Sequence, residues 1–255
     1  MKINQAFEIL AAAGGTRAAR IITTARPRPT RLAVWRMARQ LRRGVPVAKI
    51  IHQKWFYGLS FYTNRFTLDP RPDTETLVAA VIADKTDDAP VRILDLGTGT
   101  GCILAALIKN IRGATGVGLD RSWGAVRVAR RNARAIGVDD RMRIVRRRFD
   151  RAWRTPPFDI IVSNPPYIAP GDVRVDAGAR HDPKMALYAP NNGLAAYQSI
   201  ARHARDWLRR GGKIYLEIGA DQAAAVRHIF DAAGWTFVRT ARDLGDIERV
   251  LVFQK

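Results

Sequence analysis

Phe158-Asp159-Ile160-Ile161-Val162-Ser163-Asn164-Pro165-Pro166-Tyr167 joins a short apolar run to a tetrapeptide that no regular element accommodates. The run from Phe158 to Ser163 has the length and apolarity of a strand buried in a parallel sheet. Two prolines in succession can neither join a ladder nor begin inside a helix, and Pro165 biases Asn164 toward extended backbone. The chain therefore leaves the sheet abruptly at Asn164. An amide side chain, the Asn164 and Pro165 carbonyls and an aromatic ring then sit at the carboxyl end of a strand, where open α/β sheets bind ligands. These groups suit a planar –NH2 group, offering two acceptors for its hydrogens and a ring for its flat face. The alternative is a proline-rich turn capped by a core tyrosine.

Around this run the chain alternates strands and helices from Val91 onward, the pattern of a doubly wound parallel sheet. Apolar runs predict strands at 91–96, 114–119, 142–147, 158–163 and 212–218, with helices near 101–111, 122–136, 194–209 and 221–232. Trp235-Thr236-Phe237-Val238 and Arg249-Val250-Leu251-Val252-Phe253 supply two more strands that can close as a hairpin. The expected fold class is α/β: a mostly parallel seven-stranded Rossmann-like sheet with a small amino-terminal helical domain and a linking β-hairpin.

The front of the chain has a different composition. Ile3, Phe7, Ile9 and Leu10 predict one short helix, broken at Gly14-Gly15. Leu32, Trp35, Met37 and Leu41 predict a second, after Pro27 and Pro29 and ending at Gly44. Up to that point Glu8 is the one acid among many arginines. Such a terminus also resembles a transit peptide, but the second segment carries its own amphipathic stripe and runs straight into the next module. A short helix from Pro46 to Ile51 precedes aromatic strands around Gly58. Asp69-Pro70-Arg71-Pro72-Asp73-Thr74-Glu75 is held extended by its prolines, and Asp73 or Thr74 can cap a helix running to about Ala83. The chain divides into a basic helical segment at 1–51, a hairpin at 52–72 and the sheet domain at 73–255.

The 255 residues suffice for one large domain with an appendage. The single cysteine, Cys102, excludes an internal disulfide and reads as a small buried residue. Four scattered histidines lack metal-ligand spacing, so no metal is expected. No apolar run is long enough to span a bilayer. The net charge of +20 fits either a phosphate-bearing partner or arginine usage spread along the whole chain.

Leu94-Asp95-Leu96-Gly97-Thr98-Gly99-Thr100-Gly101 joins the first strand of the sheet to its first helix. Glycines at every second position let backbone pass close to a ligand, and the helix start offers free N–H groups. The spacing is neither GxGxxG nor the lysine-bearing phosphate loop. Asp120 ends the second strand, where an acid can accept hydrogen bonds from both hydroxyls of a ribose. The alternative for Asp120 is a solvated acid capping the next helix.

With loop, acid and NPPY in order at strand ends, the chain resembles the class I S-adenosylmethionine-dependent methyltransferases. More closely, it resembles the family that methylates the glutamine side-chain amide of peptide chain release factors. The resemblance runs from about Pro46 to Lys255. It rests on Arg71-Pro72-Asp73-Thr74-Glu75, Leu94 to Gly101, Val162 to Ile168, Leu216-Glu217-Ile218-Gly219 with Gln222, and Asp243 to Val250. It implies that Gly97, Thr98, Gly99, Thr100 and Gly101 line the methionine part of S-adenosylmethionine. Asp120 would hold the ribose, Phe149 would stack on adenine, and Asn164 would face both cofactor and substrate. Asn164, Pro165, Pro166 and Tyr167 would clamp the glutamine, with Asn164, Pro165 and Tyr167 catalytic. The partner would be a release factor docked by the helical segment, with weak nucleic-acid contact through the basic surface. The protein would act as a cytoplasmic monomer. The chain departs from the family in Arg147-Arg148-Phe149-Asp150, where an acid usually precedes the aromatic, and in a shorter helical segment. The alternatives are a glutamine of a large-subunit ribosomal protein, an exocyclic amine of nucleic acid, and a non-catalytic ribosome- or nucleic-acid-binding module on the same fold.

Overall fold

The computed structural model describes residues 1–172 and 177–255. The front of the chain folds as α1 (Ile3–Ala25), α2 (Arg31–Arg42) and α3 (Val47–Ile51) around Leu10, Ile22, Val34 and Ile50. The expected break at Gly14-Gly15 is present as a kink at Gly15, whose φ is 85°. The helix resumes beyond it to Ala25, longer than the sequence pattern suggests, because Ala18, Ala19 and Ile22 form a second buried stripe. Gly14 lets α2 pack closely, since a Cβ there would stand 2.9 Å from Leu41 Cδ2.

Strands β1 (Lys54–Phe56) and β2 (Leu59–Phe61) form the hairpin, with Phe56 and Phe61 buried on the main core. Asn132 fastens it to the sheet domain: its amide bonds Tyr62 N at 2.8 Å, Tyr62 O at 3.0 Å and Thr100 O at 2.9 Å. A single 3₁₀ turn, Pro72–Thr74, then leads into α4 (Glu75–Asp84). The anticipated cap by Asp73 or Thr74 is not made; the Thr74 hydroxyl is used elsewhere, as described below.

The sheet domain runs β3 (Arg92–Leu96), α5 (Cys102–Asn110), β4 (Thr115–Asp120), α6 (Trp123–Ile136), β5 (Met142–Arg146) and β6 (Phe158–Ser163). It continues as α7 (Lys184–Leu187), α8 (Ala195–Trp207), β7 (Leu208–Glu217), α9 (Ala223–Ala232), β8 (Thr236–Arg242) and β9 (Glu248–Gln254). Strand order is β5-β4-β3-β6-β7-β9-β8, with β9 antiparallel to both neighbours and all other pairs parallel. Alternate residues feed two cores. Ile93 and Val162 face one layer of helices, while Leu94 and Ile161 face the other. Strand β7 starts at Leu208 rather than 212, because Leu208 pairs with Phe158 across a bulge and is buried there. The chain winds outward from β3 to β5 and then returns to β6 on β3's other side. That reversal opens a crevice at the strands' carboxyl ends.

Candidate functional site

Residues from the ends of β3, β4, β5 and β6 line one cavity, closed in front by the segment from Phe66 to Arg71 and by Thr74. Gly97, Gly99 and Gly101 have φ of 77°, 56° and 80°, left-handed values that favour glycine. The loop is anchored by its own backbone: Gly97 N and Thr98 N both donate to Leu119 O, at 2.9 and 2.8 Å. The Asp120 carboxylate accepts from Gly99 N at 3.0 Å and Ser122 N at 2.8 Å. Burial pushes its pKa up, and these two N–H groups oppose the shift. Each carboxylate oxygen takes one of these bonds and keeps lone pairs for a ligand hydroxyl.

Asp95 lies beneath the loop, fully buried, with Thr98 Oγ1 donating to Oδ2 at 2.6 Å and Oδ1 without a partner. Burial pushes it up to about 7 against the Thr98 bond. In the sequence Asp95 carries no signal of a role of its own, because its apolar neighbours mark it only as part of a strand. Cys102, at the start of α5, is buried and its thiol is pushed up to about 12, which keeps it a thiol.

Gly97, Thr98, Gly99, Thr100, Asp120, Phe149, Asn164 and Pro166 all line the cavity. Gly101, Pro165 and Tyr167 stand outside its lining. Arg148 turns to Asp150, donating from Nε at 2.8 Å, so the acid next to Phe149 is held by its neighbour and its pKa is lowered.

The tetrapeptide is fixed from several elements. Ser163 Oγ donates to Leu96 O at 2.7 Å, and Gln222 Nε2 donates to Tyr167 O at 2.9 Å. Gly193 passes so close that an added Cβ would overlap Tyr167 O at 2.0 Å. Asn164 Nδ2 donates to Thr74 Oγ1 at 3.1 Å.

The residues of Arg71-Pro72-Asp73-Thr74-Glu75 reach four different places. Arg71 pairs with Asp182 at 2.9 Å, and Lys49 of α3 joins that acid at 2.9 Å. Asp73 faces Arg249 of β9 at 3.6 Å, and Glu75 accepts from Tyr57 N at 2.8 Å. Thr74 takes Asn164. One short segment thus ties the helical module, hairpin, last strand and tetrapeptide together.

Beyond this layer lies Glu217 at the end of β7, 1% exposed and pushed up to about 7 by burial. Thr74, Arg249 and Tyr167 oppose that rise, and Glu217 Oε2 is buried with no hydrogen-bond partner. In Leu216-Glu217-Ile218-Gly219 the sequence gives this residue no role of its own, because a lone acid ending a strand carries no spacing signal. Among the described residues no cluster of metal-ligating side chains is present.

The family model of the methyltransferase small domain matches residues 72–181. The chain is 40% identical over 219 residues to the release factor glutamine methyltransferase of Agrobacterium fabrum, covering 83% of this chain and 75% of that one. It is 40% identical over 210 residues to the Escherichia coli protein of the same name, covering 82% and 75%. Among solved structures, the catalytic domain of hMettl16, crystallised with a MAT2A 3′UTR hairpin, superposes with a TM-score of 0.60 at 16% identity, over 78% of this chain and 75% of that one. The ribosomal protein L11 methylase of Lactobacillus delbrueckii subsp. bulgaricus gives 0.55 at 17% identity, over 74% and 81%. At those identities the likeness is one of fold.

Proposed function

The chain belongs to the release factor glutamine methyltransferase family, and from that premise we propose that it methylates the side-chain amide nitrogen of a glutamine in a peptide chain release factor, using S-adenosylmethionine. The observation that carries this is the state of Asn164. Its Nδ2 is engaged by Thr74, which leaves Oδ1 as an acceptor for an –NH2 group at the mouth of the cavity.

In this reading the loop from Gly97 to Gly101 holds the amino-acid part of the cofactor, Asp120 the ribose hydroxyls and Phe149 the adenine face. The fit rests on the spare lone pairs of Asp120 and on positive-φ glycines at three of the loop's five positions, where no side chain crowds the backbone. When bound, S-adenosylmethionine supplies a methyl group made electrophilic by its sulfonium. The chain's own task is to make an amide nitrogen nucleophilic, although its lone pair is delocalised into the carbonyl. Asn164 Oδ1 and the Pro165 carbonyl accept the two amide hydrogens, which orients the nitrogen and stabilises positive charge as it develops there. Tyr167 covers the amide plane. The proton leaves once the nitrogen has been alkylated and become acidic.

We assign residues 1–51 to docking the protein substrate, 52–72 to linking and 73–255 to methyl transfer, in a monomer working in the cytoplasm. No described helix is long and apolar enough to cross a membrane. Helix α2 exposes Trp35 among Arg31, Arg36, Arg39 and Arg42, a surface suited to weak phosphate contact as a second role. The test is incubation with methyl-labelled cofactor and a panel of release factors, a large-subunit ribosomal protein and RNA. Label on a release-factor glutamine is expected. Label confined to the ribosomal protein or RNA overturns the assignment.

A further inference from the structure

A second cavity of about 400 Å³ lies beside the first, lined by Gln40 of α2, Lys49 of α3, His52, Arg65, Phe66 and His181. Phe66 lines both cavities and so stands between them. Its ring is seated on α6 at Gly124, where an added Cβ would stand 2.4 Å from Phe66 Cγ. A substrate segment that crosses Phe66 enters both cavities.

Among the described residues no acid lines this second cavity. Lys49 is 6% exposed and committed: its Nζ donates to Asn64 O at 2.8 Å and pairs with Asp69 at 2.8 Å and Asp182 at 2.9 Å. Arg71 takes the other Asp182 oxygen at 2.9 Å, so two cations meet two acids in the wall. The groups left over are donors. His181 Nε2 is buried without a hydrogen-bond partner, and a Cβ on Gly44, between α2 and α3, would come 3.9 Å from it. Arg65 makes no ion pair among the described residues, and its guanidinium carbon lies 4.8 Å from the Phe66 ring centroid. A buried nitrogen without a partner is costly, and a bound acceptor removes that cost. The planar guanidinium matches both oxygens of a carboxylate, to which a protonated imidazole nitrogen adds a further donor. A phosphate dianion suits the cavity less, because the Asp69 and Asp182 carboxylates stand within hydrogen-bonding distance of Lys49 and repel a second negative charge.

We infer that the second cavity is a subsite for an aspartate or glutamate side chain of the protein substrate, held by Arg65 and His181. The inference rests on the functional reading above, and it gives the helical module a chemical part in docking, since Gln40 and Lys49 form one wall of the subsite. The glutamine and the acid would lie on the two sides of Phe66, so that a glutamine without an acidic neighbour is held at one point only.

The test is steady-state methyl transfer to a release factor in wild type, Arg65→Ala, Arg65→Lys, His181→Phe and His181→Gln. Cofactor affinity and melting temperature are measured beside it. Arg65→Ala and His181→Phe are each expected to raise KM for the release factor about tenfold, with kcat within about twofold and cofactor affinity unchanged. Arg65→Lys and His181→Gln, which keep a donor, should stay within about threefold of the wild-type KM. A second readout needs no turnover: the His181 ring signals in a ¹H–¹³C spectrum, followed while short glutamine peptides with aspartate or asparagine at each neighbouring position, or inorganic phosphate, are added. At least one aspartate peptide should shift those signals at a concentration about tenfold below its asparagine counterpart. Aspartate and asparagine peptides that act alike, a stronger shift with inorganic phosphate, or an unchanged KM in Arg65→Ala overturns the inference. A wild-type protein that methylates no release factor while an aspartate peptide shifts His181 overturns the functional reading and leaves the subsite standing.

Discussion

The cradle after β3 and β4 and the clamp after β6 face the same cavity, but they are assembled over different distances along the chain. In the cradle, Gly99 bonds an acid 21 residues away, and the rest of the loop is held by backbone at the next strand end. In the clamp, Asn164 bonds a threonine 90 positions away, and Tyr167 O is held by a glutamine 55 positions away. The cradle's loop is fixed by backbone bonds and by an acid at the adjacent strand end, all close along the chain. The clamp differs, because its chemistry resides in side chains whose orientation is imposed from elsewhere. Removing a cradle residue should therefore weaken binding, whereas removing a clamp residue should slow the chemistry.

The largest effect expected is at the clamp. Asn164→Ala should lower single-turnover methyl transfer by about 10²–10³, by analogy with loss of one oxyanion-hole donor, while cofactor affinity stays within about tenfold. Full activity with an unchanged melting temperature would reduce the tetrapeptide to a turn. Asp120→Ala is the reverse case. Calorimetry should show cofactor binding weaker by roughly 2–4 kcal/mol, with the rate at saturating cofactor much less affected. A rate loss that saturation does not rescue would erase the contrast between the two regions.

Phe149→Ala should cost about 1–3 kcal/mol of cofactor binding if the ring stacks on a base. Arg148→Ala should change it by less than about twofold, because that guanidinium is exposed and committed to Asp150. The opposite ranking would move the adenine site to the arginine. The smallest effect belongs to Cys102. Its pKa near 12 leaves almost no thiolate at neutral pH, so iodoacetamide at pH 8 should leave activity intact. Rapid inactivation would place a reactive thiol at the head of the cradle.

The parallel sheet, its order of elements, the glycine loop, Asp120 and NPPY were legible in the chain. Strand periodicity, prolines and positive-φ glycines act over a few residues, and the strand ends follow from them. The kink and continuation of α1 were only half legible, since Gly15 is visible but the stripe of Ala18, Ala19 and Ile22 counts as apolar only once α2 and α3 are packed on it. The cap expected of Thr74 failed for a related reason. A side chain with several local options takes the one that a distant partner completes, and here that partner is Asn164. Which groups stand at the carboxyl ends of the strands follows from the order of residues, because local backbone preferences place them there. Which of those groups are unsatisfied, buried or turned toward the cavity follows from packing between distant segments. Burial at Asp95 and Glu217, and the direction of each hydrogen bond around Asn164, are set by neighbours that the linear order keeps far apart.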